Sequence, residues 1–482
     1  MKIDKSDNSV VVAAILFNLI FVCFVLLLPK YADTVYIQNY LVDAGSLLAI
    51  TVLVMHYLRI NSFNIFDPIY FITAIYAGLY FIAPIHDILI GKYTWFGYYL
   101  LQYGINSGVY ALIGYIAFYV FYSGAIRKTY FSRQGSGNKA SPYLNNEPDK
   151  NAESQIVLLI FFLYVFTFAA NVYYLIHSGY ANLLYILTAG LLGKGNQSAE
   201  TINSIGFIAM FSYMMPTTVL LYWEYGKRKW LTVVLFIPVL MMQITRGFRF
   251  LVIQIAITFT AYYFIKVNKR PKLRQMILLV CVLMVPVLLM TIFRNDIRSG
   301  TGMTIAQITP DTFSKALDDA IWDNLRIYNN YYAIVHSVPS RFPYVYLRQI
   351  LIGTLVMVIP RILWPGKIDT GAGEDLSVII GRRLTGTGQA YPGLGEFYYA
   401  LGIFGIFFFM ALYGLWMRSV KARFLDNPRR KTDVIMFGVL LGANLQILIR
   451  GYTPSNFWYV VFSIIPVYLV DFLEDTLCRK KS

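Results

Sequence analysis

Long apolar stretches broken by short polar connectors dominate the chain. About twelve of them are long enough to cross a bilayer as helices. They run over 9–28, 40–58, 66–85, 98–122, 155–177, 204–223, 230–245, 250–266, 275–293, 397–417, 432–449 and 457–473. The pattern predicts an all-α polytopic integral membrane protein in three parts: an N-terminal membrane bundle over 1–293, a large loop over 294–396, and C-terminal membrane helices over 397–482. The loop is too rich in Trp, Tyr and apolar residues to be disordered, and loops of such length usually carry function. The segment over 123–154, rich in Gly, Ser and Asn, reads as a flexible linker.

Charge sets the orientation. Lys and Arg crowd KVNKRPKLR (266–274), RSVKARFLDNPRRK (418–431), the linker and both termini. The positive-inside rule makes those segments cytoplasmic, so the 294–396 loop faces the periplasm. Within the loop, QILIGTLVMVIP (349–360) is about a dozen residues, too short to span, and crossing there would put RSVKARFLDNPRRK outside. It is therefore expected to be a re-entrant or interfacial helix ending at Pro360. Tyr344, Tyr346, Arg348 and Trp364 beside it suit the headgroup level.

Composition narrows the function. Hydrophobic residues make up 57% of the chain and charged residues 14%, with a mean hydropathy of +0.56, unlike soluble domains. The net charge of +16 reads as the positive-inside bias plus an anionic ligand, not as nucleic-acid binding. The first apolar run lacks a small-residue cleavage site and reads as a signal anchor. The three cysteines, two in spans and one in the basic tail, point to no disulfide framework and no metal site. No Walker motif is present, which excludes ATP-driven transport of that type.

The outward basic residues are mostly arginine, whose planar fork binds phosphate oxygens in bidentate fashion. Arg246 and Arg249 lie in TRGFRF (245–250), three apart at the start of a span, where free N–H groups already favour anions. They are either a diphosphate clamp or interfacial anchors that snorkel. Arg294 and Arg298 follow the ninth span, with Asp296 between them. Arg361 and Lys367 flank the interfacial helix, and Arg382 and Arg383 precede a glycine-rich stretch that allows close backbone approach. Arg450, at the mouth between the last two spans, reads as an anchor. Glu396 stands at the outer start of a span. A carboxylate there is either a functional group or a charge favoured by the helix dipole. His336 is a weaker candidate.

RFPYVYLRQILIGTLVMVIPRILWPGK (341–367) and GLGEFYYALGIFGIFFFMALYGL (393–415), together with the arginine-bearing helix start TRGFRF, resemble the Wzy-type oligosaccharide repeat-unit polymerases of O-antigen and capsule synthesis. Arg382, followed by ten residues and Gly393, is similar to the Arg-x10-Gly pattern of their outer loops. The resemblance implies a GT-C-like helical fold in a bacterial inner membrane with a periplasmic active site. It implies a glycosyltransferase that needs no metal or other cofactor and uses undecaprenyl-diphosphate-linked oligosaccharide as substrate. A flippase and a chain-length regulator are the partners it leaves room for. Arg246, Arg249, Arg294, Arg298, Arg361, Arg382 and Arg383 would then bind the diphosphate. Glu396 would be the catalytic base or positioner for the acceptor hydroxyl. Two rival readings are a lipid-linked oligosaccharide flippase and an O-antigen ligase. A flippase built from two similar halves would show an internal repeat, and none is visible. The related ligases carry a histidine near the late helix, where this chain reads AYPGLGEFYY.

Overall fold

The computed structural model describes residues 34–61, 63–95, 99–124, 150–177, 207–245, 249–268, 271–292, 309–360, 363–364, 366 and 390–479. Helices stand at eleven of the twelve expected spans. The twelfth, 9–28, lies outside the described residues. The helices before the loop are α1 (Thr34–Ile60), α2 (Pro68–Leu89), α3 (Leu100–Ser123), α4 (Lys150–His177), α5 (208–225), α6 (Lys229–Thr245), α7 (Arg249–Val267) and α8 (Leu273–Ile292). Three short helices follow in the loop: α9 (Pro310–Asp318), α10 (Tyr328–Ser337) and α11 (Arg348–Met357). The chain closes with α12 (Gly393–Leu425), α13 (Lys431–Ile449) and α14 (Thr453–Arg479). Among the described residues, seven helices are long and apolar enough to cross a membrane: α1 to α4 and α12 to α14. The linker expected over 123–154 is shorter at its far side, because α4 already begins at Lys150. Positions 125–149 lie outside the described residues.

Polar contacts sort the helix ends into two sets. At one end Lys421 and the hydroxyls of Tyr57 and Tyr122 bond the buried carboxylate of Asp67. Lys266 and Tyr262 bond Glu224, and Arg430 reaches Asp471 and Asp475. These are the ends that the Lys/Arg count assigns to one side of a membrane. At the other end Asn39 of α1 donates to Leu101 O of α3, and Glu396 of α12 meets the start of α14. The loop helices join the bundle at this second end.

The loop is part of the core. In α10, Tyr328, Asn329, Asn330, Tyr331, Tyr332, Ala333 and Ile334 are all buried. Tyr331 donates to Ser107 O of α3 at 3.1 Å, and Trp95 Nε1 donates to Asn330 Oδ1 at 3.1 Å. Asn330 Nδ2 in turn donates to Ala390 O at 2.6 Å. The main hydrophobic cluster therefore runs through residues of all three sequence segments. A smaller cluster links α4, α5, α6 and α7.

α11 has the character expected of an interfacial helix. Leu351 and Leu355 are exposed while Ile350 and Val356 are buried. Its first turn is π-helical, and Trp458 Nε1 of α14 holds Thr354 O at 2.8 Å. The helix proper ends at Met357, before Pro360.

α12 is broken near its start. Leu401 and Gly402 leave helical geometry, Gly402 with φ 64° and ψ −148°, a conformation open mainly to glycine. A break inside an apolar helix frees carbonyls that must find partners. One is met by the loop: Val345 N–H donates to Tyr399 O at 3.1 Å.

Candidate functional site

Glu396 occupies the first turn of α12 and is 1% exposed. Its Oε2 accepts from Tyr452 N at 3.0 Å, Thr453 N at 2.8 Å and Thr453 Oγ1 at 2.7 Å. Its Oε1 accepts from Thr453 N at 2.9 Å and from no other donor among the described residues. The carboxylate thus supplies the acceptors that the free N–H groups at the start of α14 require. The sequence reading considered a dipole role within the glutamate's own helix, but the helix it serves is the last one. A carboxylate offers about four lone-pair sites, and the single donor on Oε1 leaves room there for a further bond.

The candidate arginines fall elsewhere. Arg246, Arg294, Arg298, Arg361, Arg382 and Arg383 lie outside the described residues, as do Lys367 and Asp296. Arg249 is the first residue of α7, and its side chain is also outside the description. A cleft between α5, α6, α7, α13 and α14 is lined by Ser212, Thr217, Gln243, Thr258, Tyr459 and Ser463, with Leu251 also in its wall. Gln243 and Leu251 stand on either side of TRGFRF in the sequence. The hydroxyls, amide and phenol of the cleft share a mostly apolar lining with Pro216, Leu251, Ile255 and Val439. Tyr213 and Tyr459 meet edge to face there, with ring centroids 4.9 Å apart. Gln243 is buried and its Oε1 has no hydrogen-bond partner among the described residues.

Arg326, which the sequence analysis did not single out, holds the loop to the bundle. It is 1% exposed. Its Nε donates to Asp87 Oδ1 at 3.1 Å and its Nη1 to Asp318 Oδ2 at 3.3 Å, while Tyr328 OH donates to Asp87 Oδ2 at 2.9 Å. His86 stacks on Trp322 at 3.6 Å. His336 stacks on Tyr103 at 3.5 Å, and burial, then the charge of Arg341, push its imidazole below the ordinary histidine value. That keeps the ring neutral near pH 7, in keeping with a packing role.

Four buried acids among the described residues went unremarked in the sequence: Asp43, Asp67, Asp87 and Asp433. The signal was present, because carboxylates inside or at the ends of apolar stretches are rare and demand partners. The loop holds eight arginines, and nothing in the sequence marks Arg326 among them as the partner of Asp87.

The family model described as O-antigen polysaccharide polymerase Wzy matches residues 10–480, nearly the whole chain. No curated protein and no solved structure matches it.

Proposed function

Because the chain belongs to the O-antigen polysaccharide polymerase Wzy family, we propose that it joins undecaprenyl-diphosphate-linked repeat units into O-antigen or capsular polysaccharide on the periplasmic side of the inner membrane. The growing glycan leaves its lipid diphosphate and moves to the non-reducing end of a new unit. An acceptor hydroxyl attacks the anomeric carbon, the bond from that carbon to the diphosphate oxygen breaks, and the hydroxyl proton passes to a base. The diphosphate remains on its lipid. Family membership across the length of the chain is the observation that carries this reading.

Arg246 and Arg249 are the proposed diphosphate clamp, backed by Arg294, Arg298, Arg361, Arg382 and Arg383 from the loop. They stabilise charge as the leaving group departs, in a site from which water is largely excluded. The diphosphate is already a good leaving group, so arginine charge suffices and a metal is not obligatory. Glu396 is proposed as the base or positioner for the acceptor hydroxyl, acting through Oε1.

In a deletion strain, one repeat unit on the lipid A core is expected. No unit would indicate a ligase, and cytoplasmic build-up of lipid-linked units a flippase. Arg249→Lys should lose most of the polymer ladder at matched expression, since a point charge does not replace the bidentate fork. A normal ladder would remove Arg249 from the clamp.

The side assignment has its own test. In intact cells a cysteine at position 140 should resist an impermeant thiol reagent and one at Ser340, in the loop, should react. Reaction at 140 from outside would invert the topology.

A further inference from the structure

A carboxylate that meets no counter-charge among the described residues lies at the loop end of the bundle. Asp43 of α1 is 1% exposed, and neither of its oxygens has a hydrogen-bond partner among the described residues. An ionised carboxylate held alone in an apolar interior is costly by several kcal/mol, so either a proton or a positive charge is expected to accompany it. The nearby guanidinium of Arg326 is committed to Asp87 and Asp318.

Other oxygens nearby are in the same state. Asn39, one turn earlier on the same face of α1, gives its amide N–H to Leu101 O, and its Oδ1 has no partner among the described residues. The buried hydroxyls of Tyr40 and Tyr332 also have none there. Asn39 and Asp43 are both pressed against α3. A Cβ on Gly104 would lie 2.9 Å from Asn39 Cγ, and one on Gly108 would lie 2.8 Å from Asp43 Oδ1. Tyr332 comes from the other side, on α10, close enough to Asp43 for the two to interact electrostatically.

A proton on Asp43 would remove its charge and could be shared with Asn39 Oδ1, but would still leave the second carboxyl oxygen unmet. A hard cation engages several oxygens together, and its preferred charge follows the number of carboxylates supplied. One carboxylate among neutral oxygens fits a single positive charge. We propose that Asn39, Asp43 and Tyr332 bind a sodium ion between α1 and α10, which fastens the loop helix to the membrane bundle. The site is separate from the polymerase chemistry and does not depend on that reading.

The test uses the purified full-length protein in lipid nanodiscs, unfolded by heat in sodium chloride or in choline chloride at equal ionic strength. Sodium should raise the midpoint by several degrees, and the rise should saturate with concentration. Asp43→Asn should have the same midpoint in both salts, and Tyr332→Phe should need more sodium for the same rise. Should Asp43→Asn not fold, Asn39→Ala serves in its place and should also need more sodium. Identical wild-type midpoints in the two salts would overturn the proposal. So would a sodium effect that persists unchanged in these variants, or an infrared carboxylic-acid band from wild type in sodium that Asp43→Asn lacks.

Discussion

Glu396→Gln is expected to lower chain growth by about 10²–10⁴-fold, the usual contribution of a positioned base. The environment of Glu396 sharpens how that loss must be read. Three of its contacts come from Tyr452 N, Thr453 N and Thr453 Oγ1. Glutamine keeps the shape but replaces one acceptor oxygen with a donor NH2, so some loss of stability will accompany the loss of a base. Thr453→Ala is the matching control. It removes the hydroxyl contact to the same carboxylate, at about 1.5–3 kcal/mol for a hydrogen bond to a charged group, and keeps the carboxylate itself. Purified protein with a lipid-diphosphate repeat unit gives turnover, and thermal unfolding gives stability. If Glu396 acts on the acceptor, its glutamine variant should lose far more turnover than Thr453→Ala at equal loss of stability. Turnover that falls in step with stability in both variants would make Glu396 a clasp between α12 and α14 and nothing more. The base would then be sought among Asp296, His336, Glu374 and Asp375.

Arg326→Ala should destabilise the protein by about 3–5 kcal/mol, the usual result of removing one partner of a buried ion pair. Arg326 and Asp87 are 1% and 2% exposed, so truncating the arginine strands a carboxylate in an apolar setting. The Asp318 arm adds little, because that carboxylate is 46% exposed and screened by water. The double variant Arg326→Met with Asp87→Asn should recover much of the loss, since it removes both charges together and the amide oxygen introduced on α2 can still accept from Tyr328. Thermal midpoints of the three proteins in one detergent decide the matter. An unchanged midpoint for Arg326→Ala, or a double variant no better than the single one, would show that the pair does not anchor the loop.

The membrane helices were legible because length and apolarity alone specify them. Even the weak case, 349–360, was readable as too short to cross, and Leu351 and Leu355 are exposed on α11 as an interfacial helix requires. Burial of α10 was not legible. YNNYYAIVHS has the look of a surface segment, and its Asn and Tyr side chains become core residues only through partners far away in sequence, such as Trp95, Ser107 and Ala390. The break at Leu401–Gly402 was also hidden, because the same glycines suit a continuous apolar helix and a kinked one. The service Glu396 renders to α14 depends on a neighbour 57 residues further on, and nothing local in GLGEFYY records it.

The pairing of Asp87 with Arg326 spans 239 residues. Ribosomes add roughly 5–20 residues per second, so Asp87 reaches its place roughly ten to fifty seconds before its arginine has been made. During that interval the carboxylate must stay protonated, remain at the headgroup level or rest on a chaperone. The early helices α1 to α3 are therefore expected to sit shallow or loosely packed in the nascent protein, and to settle only when α10 arrives. Biogenesis of this protein has a late closing step written into a single ion pair, and nascent chains stalled before residue 326 should be the form most readily cleared by membrane proteases.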